Sequence, residues 1–195
     1  MLDREGATQF PEQRKADSYN IAKFAFSNDN KTLVSVAHGV GSWTLWERAT
    51  GKPRATGGTG IPGFTSLDMH PNGRMFATTT DNTSTINLWD LVTCQRVATL
   101  QAGKRHLTSL SFSPTGKTLA VGTSPTKIGG EVLLWDTTRR ELKSLLKGHQ
   151  SEIVSLSFRP DGKMLASSSA DGTIELWDLT TNQTSNKNTP DAKSK

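Results

Sequence analysis

Three groups of residues in this chain have types and spacings that invite a chemical reading. His149, Ser167 and Asp171 fall in one short C-terminal stretch. They are the types of a nucleophilic triad: a hydroxyl to attack, an imidazole to take its proton and a carboxylate to orient the ring. Gly58-Thr59-Gly60-Ile61-Pro62-Gly63 has the G-x-G-x-x-G spacing of a dinucleotide-binding turn, and Gly116-Lys117-Thr118 has the ending of a phosphate loop. Neither glycine pattern fits its surroundings. The first needs a strand before it and a helix after it, whereas a strand follows here and Pro62 lies inside. The second would place its first glycine where Ser111 stands, and it falls in a hairpin. The four histidines are far apart and Cys94 is the single cysteine, so no metal-ligand cluster is expected. No cofactor is expected either.

What His149, Ser167 and Asp171 can do depends on the elements that hold them, and those elements repeat. Trp46, Trp89, Trp135 and Trp177 each follow a leucine, at spacings of 43, 46 and 42 residues. Upstream of each lies an apolar triplet: Ile21/Phe24/Phe26, Phe64/Leu67/Met69, Leu107/Leu110/Phe112 and Ile153/Leu156/Phe158. Its last step of two is strand alternation, and the step of three before it suits a bulge. Turn residues follow each triplet, as SNDNK, HPNGR, SPTGK and RPDGK, which is hairpin chemistry. A second strand comes next (LVSV, FATT, LAVG, LASS), and then a third carrying the tryptophan. A fourth is readable at 94–100 and 141–146, and more faintly at 52–56. With no competing amphipathic helical pattern, the unit is a four-stranded antiparallel sheet and the fold is all-β.

Four such units, three of them ending in Trp-Asp (89–90, 135–136, 177–178) and the first in Trp46-Glu47, resemble the WD-repeat β-propeller family over about residues 21–180. The resemblance implies a structural tetrad in the last unit, made of His149, Ser167, Asp171 and Trp177. Ser167 would then lie on a buried strand beside a blade tryptophan and not in a cleft, so no catalytic residue is expected. The other units depart from the pattern: the second has Thr78 at the hydroxyl position but Gly60 at the histidine position, the third has Val121 at the hydroxyl position, and the first has Ser35 but Gly39 at the aspartate position. Those units are expected to depend more on apolar packing. The units run about 21–60, 61–106, 107–149 and 150–180. They are flanked by a polar segment at 1–20 and by a tail at 181–195 whose composition predicts disorder.

The function implied is a non-catalytic scaffold for protein–protein interaction. By resemblance, the partner-binding face is built from the loops before the first strands and between the second and third. The candidates there are Lys104, Arg105, Lys127, Gln150 and Glu152. The alternative is a C-terminal regulatory or sensor portion of a larger signalling enzyme. A net charge of +5, with three lysines against one aspartate in the last fifteen residues, is too thinly spread to favour nucleic acid. No apolar run is long enough to span a membrane, and a reducing, cytoplasmic location is expected. Four units are few for a closed propeller. A partial or self-assembling propeller is therefore expected, with uncovered faces carrying Phe24 and Phe26 at one end and Leu156 and Phe158 at the other. A homodimer completing the ring follows as the expected assembly.

Overall fold

The computed structural model describes residues 21–37, 39, 41–60, 63–80, 83–125 and 129–180. The disorder expected for 181–195 and the candidate Lys127 lie outside the described residues. Among these residues, fifteen strands form four antiparallel sheets. The first holds β1 (Ile21–Phe26), β2 (Thr32–Ala37), β3 (Ser42–Glu47) and β4 (Pro53–Gly58). The second holds β5 (Phe64–Met69), β6 (Met75–Thr80), β7 (Thr85–Asp90) and β8 (Arg96–Gln101). The third holds β9 (Leu107–Phe112), β10 (Thr118–Thr123), β11 (Glu131–Asp136) and β12 (Glu141–Lys147). The fourth has β13 (Ile153–Phe158), β14 (Met164–Ser169) and β15 (Ile174–Asp178), with no fourth strand among the described residues.

The step of three in each apolar triplet is a register shift. It falls at Ile21/Lys23, Phe64/Ser66 and Ile153/Ser155, and opposite Gly122/Thr123 for β9. In β5, β9 and β13 the extra residue lets both ends of the triplet reach the core from one strand. Each hairpin after it closes in the same way. The residue at Asn30, Gly73, Gly116 or Gly162 takes a positive φ of 56–72° and donates its N–H back three residues. Only Asn and Gly occupy this left-handed position readily, which accounts for the turn residues chosen in all four units.

Each interior sheet packs through two apolar faces. One, the head face, carries the blade tryptophan and the last two triplet residues. Leu67, Met69, Phe76 and Trp89 of the second sheet pack back on Val34, Val36, Trp43 and Leu45 of the first. There Trp43 meets the rings of Phe76 and Trp89 edge-on, both at 5.5 Å. Leu110, Phe112, Leu119 and Trp135 of the third pack on Ala77, Ile86 and Leu88 of the second. Leu165 and Trp177 of the fourth, with Leu156 and Phe158 against them, pack on Ala120, Val132 and Leu134 of the third. Polar ties cross the junctions too. Phe112 N–H donates to Asp68 Oδ2 at 2.8 Å, and Thr108 Oγ1 to the Ile153 carbonyl at 2.6 Å. Burial of Asp68 in this junction raises its carboxyl pKa above the ordinary value despite the N–H donors of Phe112 and Met69.

The sheets form an open arc: β1 neighbours β5, β5 neighbours β9 and β9 neighbours β13, and among the described residues the ring does not close. Phe24 and Phe26 are 66% and 50% exposed on the first sheet, as expected. The expectation for the other end needs correction. Leu156 pairs with Ser167, and Phe158 with Leu165. Directly paired residues share a face, so both turn inward with Trp177. The uncovered apolar residues of the fourth sheet are Ile174 and Leu176, 56% and 40% exposed, with Val154, 56% exposed, at the β13 bulge.

Candidate functional site

The four C-terminal candidates meet in one continuous hydrogen-bonded chain. Trp177, on β15, donates its indole N–H to Ser167 Oγ on β14 at 2.8 Å. Ser167 Oγ lies 2.7 Å from His149 Nε2. His149 Nδ1 lies 2.9 Å from Thr173 Oγ1 and 3.5 Å from Asp171 Oδ2. Thr173 donates to Asp171 Oδ1 at 2.6 Å, and the Gln150 backbone N–H donates to Oδ2 at 2.7 Å. One assignment of hydrogens satisfies every member. The serine hydroxyl donates to neutral His149 at Nε2, Nδ1–H donates toward Thr173, and the run of donors ends on the carboxylate. Burial works to raise the Asp171 carboxyl, but donors from Thr173, Gln150 and Ser169 outweigh it and hold the group well below the usual carboxylate range.

The order Ser167, His149, Asp171 is that of a nucleophilic triad, so accessibility decides its chemistry. Ser167 is 1% exposed and His149 2%. The serine oxygen already receives the Trp177 indole N–H, and its burial leaves no path for a substrate carbonyl to reach it. Gly129, at φ 95°, lies so close to the His149 carbonyl that a Cβ there would overlap it. The network instead joins the loop before β13 to β14 and β15.

The other sheets keep parts of this arrangement. Trp46 donates to Ser35 at 2.8 Å and Trp89 to Thr78 at 3.0 Å, so the first two sheets are less dependent on packing alone than expected. In the third, Val121 stands at the hydroxyl position, and the buried Trp135 indole N–H finds no acceptor among the described residues. A tie invisible in the repeat pattern replaces it. Glu131, 3% exposed at the start of β11, takes Arg105 Nε at 2.9 Å and Lys147 Nζ at 3.6 Å. Arg105 also donates to the Ala102 carbonyl at 2.9 Å. The guanidinium of the loop candidate Arg105 thus fastens the approach to β9 onto β11. Lys104, Gln150 and Glu152 are exposed beside β9 and β13.

The Trp-Asp aspartates also have a local function that spacing alone did not reveal. Asp90 Oδ1 accepts the N–H groups of Val92 and Thr93 at 2.9 and 2.6 Å, and Asp136 Oδ1 those of Thr138 and Arg139 at 2.9 and 2.8 Å. Each closes the turn after the tryptophan strand. These N–H donors, from Thr93 and Arg139 first, lower both carboxyl pKa values.

Four-stranded sheets stacked face to face around inner strands β1, β5, β9 and β13 define blades of the propeller class. The family model for the WD domain, G-beta repeat, matches residues 52–90, 94–136 and 140–178, more than half of the chain, and the chain belongs to this family of protein-interaction scaffolds. No curated protein matches the chain. Each matched stretch takes the last strand of one sheet with the first three of the next, so the family repeat straddles two blades. The matches leave out β1–β3. There Glu47 accepts the Thr50 hydroxyl at 2.7 Å where the later units have an aspartate closing the turn.

Proposed function

We propose that this chain is a non-catalytic scaffold that holds another protein on the loop face beside β9 and β13, with Lys104, Gln150 and Glu152 as contact residues. The observation that carries this reading is the sealing of the constellation: His149 and Ser167 are 2% and 1% exposed and bonded to their neighbours. A chain whose candidate nucleophile is enclosed in this way offers rigid blades and their exposed loops as its working surface. The tetrad residues His149, Ser167, Asp171 and Trp177 fix the position of that surface in the last blade, and Arg105 with Glu131 does so in the third. Among the described residues no helix is long and apolar enough to cross a membrane. The lone cysteine Cys94, unpaired, suits a reducing, cytoplasmic setting.

Site-specific photo-crosslinking in cells tests this reading. A photoreactive residue at Lys104, Gln150 or Glu152 should capture a protein partner, while one at Asn72 or Asp161, in the hairpins at the opposite end of the strands, should not. Capture only from the hairpin end would overturn the assignment of the loop face.

A further inference from the structure

The two ends of the arc differ from one another, and each matches a surface that is buried inside the chain. At every internal junction, the head face of one sheet covers the tail face of the sheet before it. Leu67 and Met69 in the second sheet, and Leu110 and Phe112 in the third, are 6–7% exposed in the head-face positions of Phe24 and Phe26. The tail positions filled by Trp43/Leu45, Ile86/Leu88 and Val132/Leu134 are 0–4% exposed, and Ile174 and Leu176 occupy the same two positions in the fourth sheet. The strand register agrees as well. Leu88 pairs with Ala77 and Leu134 with Ala120, as Leu176 pairs with Ala166. The small alanine leaves the recess into which the next head face packs its apolar side chains. Single exposed apolar residues need no explanation. Paired residues uncovered at both ends, in positions buried or half-buried at every internal junction, mark an interaction surface.

We propose that two copies of this chain join head to tail, with Phe24 and Phe26 of each seated on Ile174 and Leu176 of the other, and close into a two-fold ring of eight sheets. The occupant follows from continuity with the three internal junctions. A tail face of this chain is covered each time by a head face of this chain, and a second copy would bring the same kind of head face, with Phe24 and Phe26, onto Ile174 and Leu176. Eight blades lie within the range of closed propellers, and two identical heterologous junctions closing on themselves generate two-fold symmetry. The loop face discussed above is a different surface, so this proposal stands or falls independently of that reading.

Light scattering of the purified chain, with two variants, tests the junction. The wild-type chain should show twice its 21.2 kDa mass. A head variant (Phe24→Lys with Phe26→Lys) and a tail variant (Ile174→Lys with Leu176→Lys) should each be monomeric alone. An equimolar mixture should recover the dimer mass, because one intact head still meets one intact tail, with dissociation at least tenfold easier than for wild type. Recovery in the mixture also shows that both variants fold. A wild-type mass of 21.2 kDa at all concentrations, or a series of masses above the dimer, would overturn the ring. Dimerisation of either variant by itself would overturn the head-to-tail junction.

Discussion

The third blade gives the sharpest single-site prediction, because its tryptophan lacks what the other three have. Trp46, Trp89 and Trp177 each donate to a hydroxyl on the adjacent strand, at 2.8–3.0 Å. Trp135 faces Val121 at that position, and its buried N–H has no acceptor among the described residues. A buried donor left unpaired costs about 1–3 kcal/mol. Val121→Thr keeps the shape and places a hydroxyl where Thr78 stands in the second blade, giving up about 0.8 kcal/mol of methyl burial. The expected net effect is a stabilisation of about 0.5–2 kcal/mol, although Val→Thr in a core ordinarily destabilises. Urea denaturation at fixed protein concentration reads it as a higher midpoint with unchanged slope. In a Trp135→Phe background the same hydroxyl has no indole to accept from, so the substitution should cost about 1–2 kcal/mol, a reversal of sign that isolates the bond. An equal loss in both backgrounds would refute the reasoning.

Arg105→Ala should destabilise by about 3 kcal/mol, measured by the same denaturation, because it leaves the buried Glu131 carboxylate with only the more distant Lys147. Trp177→Ala should lower stability more than Trp46→Ala. Both lose an indole–hydroxyl bond, but Trp177 is 2% exposed and Trp46 is only half-buried, and truncation of a fully buried tryptophan costs about 3–5 kcal/mol. Asp171 has a lowered pKa in the folded chain, so its stabilisation is present above the ordinary carboxylate pKa of about 4 and is lost as pH falls below it. The fall in urea midpoint between about pH 5 and pH 3 should therefore be shallower in Asp171→Asn than in wild type.

Much of the fold was legible because it is written in periods. The apolar triplets, the Asn/Gly turns and the tryptophan spacing each recur with the blade, and the bulge sits where the step of three placed it. The faintest strand, β4, is short of apolar residues because only Ala55 turns toward the neighbouring sheet. What stayed hidden were contacts between residues that do not repeat. Glu131 and Arg105 are 26 positions apart, and neither lies at a tetrad position, so nothing in the pattern joins them. The inward turn of Leu156 and Phe158 was present in the strand alternation. It was missed because an apolar residue on a terminal sheet was equated with an uncovered one. The turn-closing function of Asp90 and Asp136 depends on backbone N–H groups, which every residue there supplies and which side-chain identity does not show.

The claim that Ser167 is a structural hydroxyl, and the chain therefore a scaffold and not a hydrolase, is tested most directly by a fluorophosphonate probe read out by peptide mass spectrometry. The serine hydroxyl beside an imidazole that is tied through Thr173 to a carboxylate has the components that would activate a serine if it were reachable. The account predicts no adduct on Ser167 in the folded chain. Stoichiometric labelling of Ser167 under native conditions, abolished by His149→Ala in a variant that remains folded, would contradict it.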